Sequence, residues 1–381
     1  MKIAQNRQIE LTVALFYLFY FAMVGVYVIF MPKVLKDIGY SSVEIGLIYA
    51  ASPFMRFLLP FLFKHYIALT NILFKSALIA TFIITVIFFA TIKSFYLYLI
   101  INLLFGGAMG AVLPFVETIA LEYIGKERYG KVRLWGSVGF SLVAFVLAKV
   151  LYSFEIALYF LVVSSFFTMF FGLYLAKYNS DKADSKTIKE NNKEFSLTKY
   201  WAFWASVFLF QFSFGGFYNF FTIYETSNGV KLDIVSYLWI FGVACEIVML
   251  IFQGPLLAKY NLLTLLNIAT LSATIRWLLL AFFPQNIAVV AISQATHALS
   301  FALYYSAIIA YVYSIYSQKK LAQQFLLGVG FGLGGALGAA VAGVVYKITP
   351  SGLFIFESFV ALFASLLLVV HKRRKVEYER A

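Results

Sequence analysis

Charged residues are scarce in this chain. They make up 12% of its 381 residues, whereas hydrophobic residues make up 62% and the mean hydropathy is +0.88. Soluble globular domains typically contain about 25% charged and about 45–50% apolar residues. The shortage of charge excludes an ordinary soluble enzyme and a disordered chain. It predicts an all-α polytopic membrane protein.

Cysteine and histidine are also rare, and this limits the chemistry that the chain can perform. The single cysteine, Cys245, lies inside an apolar run, which excludes an intramolecular disulfide and a cysteine-based metal cluster. With three histidines besides, the sequence shows no metal-ligand cluster and no nucleophile constellation. We therefore expect no enzyme activity, no metal and no organic cofactor. The absence of a P-loop motif argues against transport driven by ATP.

Long apolar segments are what the sequence has in abundance. A membrane helix needs about 20 apolar residues to cross about 30 Å of hydrocarbon. Transmembrane β-strands would instead show shorter segments of alternating polarity. Twelve segments meet the helical requirement: 9–30, 43–63, 72–92, 95–120, 134–153, 156–176, 200–224, 234–257, 262–283, 287–313, 322–346 and 352–370.

The 30 Lys and Arg residues are divided unevenly between the two sides of the predicted spans. If the N-terminus is cytoplasmic, most of them fall on the cytoplasmic side, as the positive-inside rule requires. We therefore expect both termini in the cytoplasm and a location in the inner (cytoplasmic) membrane. The net charge of +13 follows from this distribution and does not indicate a nucleic-acid partner. The basic segment 371–375 is interpreted as the anchor that ends the last span.

One long polar segment divides the chain into halves. We predict an N-terminal six-helix bundle at 1–176, a cytoplasmic linker at 177–199, a C-terminal six-helix bundle at 200–371 and a cytoplasmic tail at 372–381. Six spans on each side of a polar linker are typical of transporters built from two structural repeats.

Few ionisable residues lie within the predicted spans, and charge in a bilayer is costly, so each is a functional candidate. Glu246, Arg276 and His297 lie at similar depth in three consecutive spans of the C-terminal half. Glu117 and Arg133 flank one cytoplasmic loop of the N-terminal half and can meet across it. We expect one polar cluster in each half, facing a shared cavity. A purely structural role in joining helices is the alternative for each residue.

Two other ionisable residues are assigned lesser roles. Arg56 lies in the second span, where its side chain can bind a partner or extend to the inner surface of the membrane. Glu357 is predicted to lie near the outer edge of the twelfth span. This leaves Glu246 as the only acidic residue expected deep in the C-terminal half.

Two helical faces combine polar and aromatic groups. Helical spacing places Gln294, His297 and Tyr304 on one face of the tenth span. The seventh span has a similar face, made by Gln211, Phe214, Tyr218 and Asn219. Such faces suit a small molecule bound by stacking and a few hydrogen bonds, and they also suit ordinary helix packing.

The eleventh span is rich in glycine. Gly330, Gly334 and Gly338 recur at intervals of four residues, which permits close approach of helix backbones. Tight packing is one interpretation, and a helix that slides during transport is the other.

Two motifs in the N-terminal half are distinctive. YGKVRLWGSVGF, at 129–140, opens the fifth span, and the first loop carries Pro32, Glu44 and Gly46. Both resemble the phenylpropionate and nucleoside permease branch of the major facilitator superfamily. Along its whole length the chain also resembles the lactose permease family of proton-coupled sugar symporters. The resemblance implies a major facilitator fold with twelve helices in two six-helix bundles.

The resemblance also implies roles for individual residues. Glu117, in PFVE at 114–117, corresponds to the sugar-binding glutamate of the lactose permeases, and Arg133 corresponds to its partner arginine. Glu246 corresponds to their essential glutamate in the eighth helix. Arg276 and His297 correspond to the arginine and histidine of the ninth and tenth helices.

The chain departs from the lactose permease pattern at several positions. Ser300 stands where that family has a carboxylate three residues after the histidine, and an apolar residue near Phe214 replaces an aspartate. The superfamily motif expected near 63–75 has lost its aspartate. The proton relay of the lactose permeases therefore cannot be transferred as a whole.

The sequence as a whole predicts a secondary active transporter that works by alternating access. The resemblance implies import of a small organic solute by proton symport, with the proton as coupling ion and an aromatic carboxylate, a nucleoside or a sugar as substrate. We expect a monomer in the lipid bilayer, and the alternative function is a non-transporting receptor or sensor on the same scaffold. Proton coupling is assigned to Glu246, His297 and Arg276. Substrate binding is assigned to Glu117, Arg133, Trp135, Asn219, Glu246 and Gln294.

Overall fold

A computed structural model describes residues 2–65, 70–178, 197–317 and 319–380. Within these ranges helices are the only regular secondary structure. The chain divides into two compact units, Met1–Thr187 and Ile188–Ala381. Most of the predicted linker at 177–199 lies outside the described residues.

In its described residues the first unit contains seven α-helices, and a π-helical segment, Val26–Phe30, joins the first two. The helices are α1 (Lys2–Gly25), α2 (Met31–Ile38), α3 (Ser42–His65), α4 (Asn71–Thr91), α5 (Phe95–Tyr123), α6 (Lys126–Val150) and α7 (Phe154–Leu175).

The described part of the second unit contains ten α-helices of varied length and two π-helical segments, Ala298–Leu303 and Leu326–Gly334. The helices are α8 (Trp201–Phe212), α9 (Gly215–Ser227), α10 (Leu232–Phe252), α11 (Gly254–Lys259), α12 (Leu262–Phe282), α13 (Ile287–Ala295), α14 (Tyr304–Ile315), α15 (Lys319–Phe325), α16 (Gly335–Ile348) and α17 (Pro350–Arg380).

Eleven helical stretches in the described residues are long and apolar enough to cross a membrane, and they correspond to eleven of the predicted spans. The remaining predicted span, 200–224, is a pair of shorter helices, α8 and α9, which are interrupted at Ser213 and Phe214. Gly215 and Gly216 follow the interruption, and glycine lowers the stability of a continuous helix. The chain is thus an all-α, multi-pass membrane protein.

Polar side chains define where several helices begin. Asn261 accepts hydrogen bonds from the N–H groups of Leu263 and Thr264 and so caps α12. Asn286 caps α13 in the same way, and Thr70 caps α4. Each cap satisfies N–H groups that have no partner inside the helix.

The core of the first unit depends on close contact between α1 and α6. A Cβ atom on Gly139 would lie 1.9 Å from the carbonyl oxygen of Leu18, so only glycine allows this approach. Deeper in the unit, the Tyr27 hydroxyl donates to Asn102 Oδ1 at 2.7 Å, and the Tyr49 hydroxyl donates to the Tyr27 carbonyl oxygen at 2.7 Å. The side chains of Tyr27, Tyr49 and Asn102 are therefore joined in one buried hydrogen-bond chain between helices.

The glycines of the eleventh span pack against the interrupted seventh span. A Cβ on Gly338 would lie 2.2 Å from the Phe212 carbonyl oxygen, and one on Gly334 would lie 2.7 Å from the Phe208 carbonyl oxygen. A Cβ on Gly215 would lie 2.2 Å from the Gly338 carbonyl carbon. Backbone meets backbone here, which agrees with the tight-packing interpretation.

The first residue of the basic tail segment belongs to the core. His371 is 4% exposed, and its Nε2 lies 2.5 Å from the hydroxyl of Tyr311. The predicted anchor segment therefore also joins α17 to α14.

Candidate functional site

Arg276 is the centre of a buried polar cluster in the second unit. Its side chain, on α12, is fully buried. Nη1 donates to His297 Nδ1 at 2.8 Å and lies 3.4 Å from Ser300 Oγ, and Nη2 donates to Gln294 Oε1 at 3.2 Å. Ser300 thus accepts from the arginine at the position where the lactose permeases have a carboxylate. Two adjacent spans are joined here by one guanidinium fork.

The hydrogen bond to Arg276 determines the tautomer of His297. A guanidinium has donors only, so His297 Nδ1 must be the acceptor and cannot carry a proton. In the neutral ring the proton is then on Nε2. Nε2 lies 3.6 Å from Glu246 Oε2, so the N–H is directed to the side of the ring where the carboxyl lies.

Glu246 completes a row of three ionisable groups from α10, α12 and the tenth span. The Glu246 side chain is 23% exposed, whereas Arg276 and His297 are buried. Arg276 does not reach Glu246 directly in the described hydrogen bonds and ion pairs, because the imidazole of His297 lies between them. A further proton can bind the ring only at Nδ1, after the hydrogen bond from Arg276 breaks, and the contact between His297 and an ionised Glu246 then becomes an ion pair.

Aromatic rings surround the guanidinium. Arg276 Cζ lies 4.0 Å from the ring centroid of Phe217 and 4.8 Å from that of Trp277. Cation–π contacts of this kind stabilise a desolvated cation. Asn219, two residues after Phe217 on α9, is buried, and its Nδ2 donates to the Gly215 carbonyl oxygen at 2.7 Å. This amide hydrogen bond therefore lies within α9 itself.

A second carboxyl also lies in the interior of this unit. Glu357 lies near the start of α17, its side chain is 1% exposed, and it accepts a hydrogen bond from the backbone N–H of Gly216. The interruption of the seventh span brings that N–H to the depth of Glu357. Glu246 is consequently not the only acidic residue in the interior of this unit. The adjacent glycines at 215 and 216 were the sequence signal for the interruption.

The N-terminal candidates surround one tyrosine. Tyr129, near the start of α6, interacts with Glu117, Arg133 and Tyr17. Glu117 and Arg133 also act on each other electrostatically. Arg133 Cζ lies 4.0 Å from the ring centroid of Phe21 and 5.1 Å from that of Tyr17. The arginine thus lies against aromatic faces of α1 while sharing Tyr129 with the glutamate.

Glycine makes the position of Arg133 possible. A Cβ on Gly136 would lie 2.6 Å from the Phe21 ring and 2.9 Å from Arg133 Nη1. Trp135, two residues after the arginine, is 47% exposed and belongs to a different face of α6. Arg56, on α3, is exposed and acts electrostatically on Tyr20 and Tyr27.

Comparison with known families identifies the scaffold. A family model described as the MFS_1 like family matches residues 11–356. The chain belongs to the MFS_1-like family. This confirms the predicted membership of the major facilitator superfamily, and it makes the chain a member of a transporter family rather than an enzyme family.

Two bacterial relatives match the MFS_1-like chain over nearly its full length. The probable 3-phenylpropionic acid transporter of Escherichia coli (strain K12) is 27% identical over 374 residues, which cover 93% of this chain and 96% of that protein. An uncharacterized transporter, YwbF, of Bacillus subtilis (strain 168) is 24% identical over 361 residues, which cover 93% and 88%.

Solved structures support the fold of this MFS_1-like protein. Two crystal structures of the nucleoside transporter NupG match with TM-scores of 0.81 and 0.78, at 15% and 16% identity. Each covers 95% of this chain and nearly all of the other. A POT family peptide transporter matches with a TM-score of 0.73 at 11% identity, covering 97% of both chains. These likenesses confirm the all-α major facilitator fold.

Proposed function

We propose that this MFS_1-like protein is a secondary active transporter that imports a small organic solute together with protons, by alternating access. The row formed by Glu246, His297 and Arg276 is the observation that carries the proposal. Ionisable groups inside membrane proteins commonly form proton relays, because their burial is otherwise costly. Membership of a transporter family supports the transport of a solute. The Glu246, His297 and Arg276 row provides ionisable groups that can bind the coupled proton.

The proton path in this proposal begins at Glu246. Its side chain is 23% exposed, which makes it the least buried member of the row. A proton on the carboxyl weakens its attraction to the Nε2–H of His297. Substrate that redirects Arg276 would change the charge felt by the ring and thereby the proton affinity of the pair. Linkage then requires the proton to change substrate affinity by the same factor.

An aromatic carboxylate is the substrate class that we favour. Arg133 is half-buried against the rings of Phe21 and Tyr17, and such a site offers both a fork of donors for a carboxylate and faces for an aromatic ring. The bacterial relative described as a probable 3-phenylpropionic acid transporter supports the same class. We propose that Glu117 and Arg133 in the first unit, and Asn219, Glu246 and Gln294 in the second, bind the substrate. Trp135 is left out of this proposal, because it lies on a different face of α6 from Arg133.

The orientation is part of the proposal. We infer that the protein lies in the inner membrane with both termini in the cytoplasm, because the Lys and Arg residues are concentrated on that side of the predicted spans. Alkaline phosphatase and green fluorescent protein fusions at Ser185 test this. An active phosphatase fusion would overturn the topology.

Uptake of labelled 3-phenylpropionate by cells that overexpress the protein tests the function. Accumulation should be driven by an inward pH gradient and abolished by a protonophore. Glu246→Gln should abolish this accumulation while exchange of substrate survives, and Glu122→Gln, which alters an exposed carboxyl, is the matched control.

Other results have equally clear meanings. Uptake of a nucleoside or a sugar, but not of the aromatic acid, would change the substrate class. Binding without accumulation would favour a receptor or sensor. Unaltered pH-driven accumulation in Glu246→Gln would refute the assignment of coupling, and Glu117→Gln would then be tested.

A further inference from the structure

A second carboxyl in the second unit has unusual surroundings. Glu357, on α17, is 1% exposed, and one of its oxygens accepts the N–H of Gly216. Within the described part of the chain, its other oxygen, Oε2, is buried without a hydrogen-bond partner. Burying a carboxyl oxygen without a hydrogen-bond partner lowers the stability of a membrane protein. Such a group is therefore a candidate for a functional role.

The contact with Gly216 lies at the interruption of the seventh span. The first N–H groups of α9 have no partner inside the helix, and the positive end of the helix dipole lies there. Glu357 provides an acceptor from a distant part of the chain, and the N–H of Phe217 is close enough to act on the same carboxyl. A Cβ on Gly216 would lie 2.5 Å from Glu357 Oε1, so glycine is required for the contact.

The charged groups around Glu357 come from several helices. Arg276, on α12, acts on it electrostatically, and within the described residues the Nε of this arginine also lacks a partner. The α8 sequence contains no ionisable side chain. The ionisable residues on the other helices that pack against α17 are Tyr218, Tyr224 and Glu225 on α9 and Tyr346 and Lys347 on α16. Arg276 is the cation that links Glu357 to the row containing His297.

We propose that Glu357 is a second proton-binding carboxyl of the transporter, and that its protonation opens the cap on α9 at the interruption of the seventh span. The inference rests on the proposed proton coupling and extends it to a residue outside the Glu246 row. In this step a hydronium ion gives one proton to Oε2. One O–H bond of the hydronium breaks, one O–H bond forms on the carboxyl, a water molecule is left, and the carboxylate becomes a neutral acid.

Protonation weakens the cap for two reasons. A carboxylate is stabilised by the positive end of α9, and a neutral acid is not. A charge-assisted hydrogen bond to the Gly216 N–H is also roughly twice as strong as a neutral one. The cap on the first turn of α9, and with it the interruption between α8 and α9, is therefore most stable when Glu357 is ionised. The positive charge of Arg276 favours this ionised form.

Infrared difference spectroscopy on the purified full-length protein in nanodiscs tests the inference without any substrate. A pH step should produce a carboxylic-acid C=O band that is lost in Glu357→Gln. Glutamine keeps the size of the side chain and an oxygen for the Gly216 N–H. Glu122→Gln, which alters an exposed carboxyl, should keep the band. A band that is identical in wild type and Glu357→Gln, or that is absent from the wild type, would overturn the inference.

A second variant covers the case in which Glu357→Gln does not fold. Gly216→Ala displaces the carboxyl from α9 without removing it, so the same band should persist and titrate at higher pH than in wild type. An unchanged titration would refute the role of the cap. Failure of the wild type to accumulate solute in response to a pH gradient would instead refute the proposed function, and the infrared measurement does not depend on that result.

Discussion

Replacing Arg276 with lysine would test whether the guanidinium fork holds the second unit together. Lysine keeps the charge, but its ammonium cannot donate to both His297 Nδ1 and Gln294 Oε1 in the fixed geometry of the fork. One of these bonds, at 2.8 Å and 3.2 Å, must be lost, together with the guanidinium contact 4.0 Å from the Phe217 ring centroid.

The expected loss can be worked out from these contacts. A hydrogen bond between membrane helices contributes about 0.6 kcal/mol on average and about 1.7 at most. A desolvated cation–π contact contributes about 2 kcal/mol. We therefore expect Arg276→Lys to lower the free energy of unfolding by about 2–4 kcal/mol.

Reversible unfolding in mixed micelles, followed by circular dichroism, would measure this difference. Arg128→Lys is the matched control, because Arg128 is 62% exposed and pairs with Glu10 at 2.8 Å on the surface of the first unit. Its loss should be below about 0.5 kcal/mol. Combining Arg276→Lys with Gln294→Leu should reveal a coupling energy of about 1 kcal/mol. An Arg276→Lys protein as stable as the Arg128→Lys protein would refute the reasoning.

Three other substitutions test separate parts of the structure. Gly338→Ala should lower the free energy of unfolding by about 1–3 kcal/mol, because the new Cβ would lie 2.2 Å from the Phe212 carbonyl oxygen. Gly254→Ala is the control in the same unfolding assay and should change little, because no atom lies within 4 Å of its Cβ. Arg133→Lys should weaken 3-phenylpropionate binding by about tenfold or more in a direct binding titration, since the planar fork is lost, and equal affinity would remove Arg133 from the site. His297→Gln should impair pH-driven uptake less than Glu246→Gln does, and the reverse order would make His297 the primary proton site.

The membrane spans were predictable because crossing a bilayer is a local property of the chain. Each span requires its own run of about 20 apolar residues, whatever it packs against. Among the described residues, eleven spans follow this rule, and the seventh, although interrupted, was also located at 200–224. Its interruption depends on Gly215 and Gly216, whose effect on a helix is also local.

The members of the C-terminal cluster were predictable for a similar reason. Burying Glu246, Arg276 or His297 in hydrocarbon is costly wherever it occurs, so rarity alone marked them as candidates. Their order was not predictable. That His297 lies between Arg276 and Glu246 follows from the angles at which α10, α12 and the tenth span pack, which no spacing along one helix contains.

Glu357 shows most clearly what belonged to the tertiary structure alone. The sequence determined that this carboxyl lies near the start of the last helix and that two glycines follow Phe214. The two features are 141 residues apart, and their meeting depends on the packing of α17 against α9. Apolar runs and buried charges can be recognised in the sequence, because the free-energy cost of placing each residue in hydrocarbon depends on that residue alone. The partner of a buried polar group is determined by the neighbouring helix, and only the folded structure supplies that neighbour.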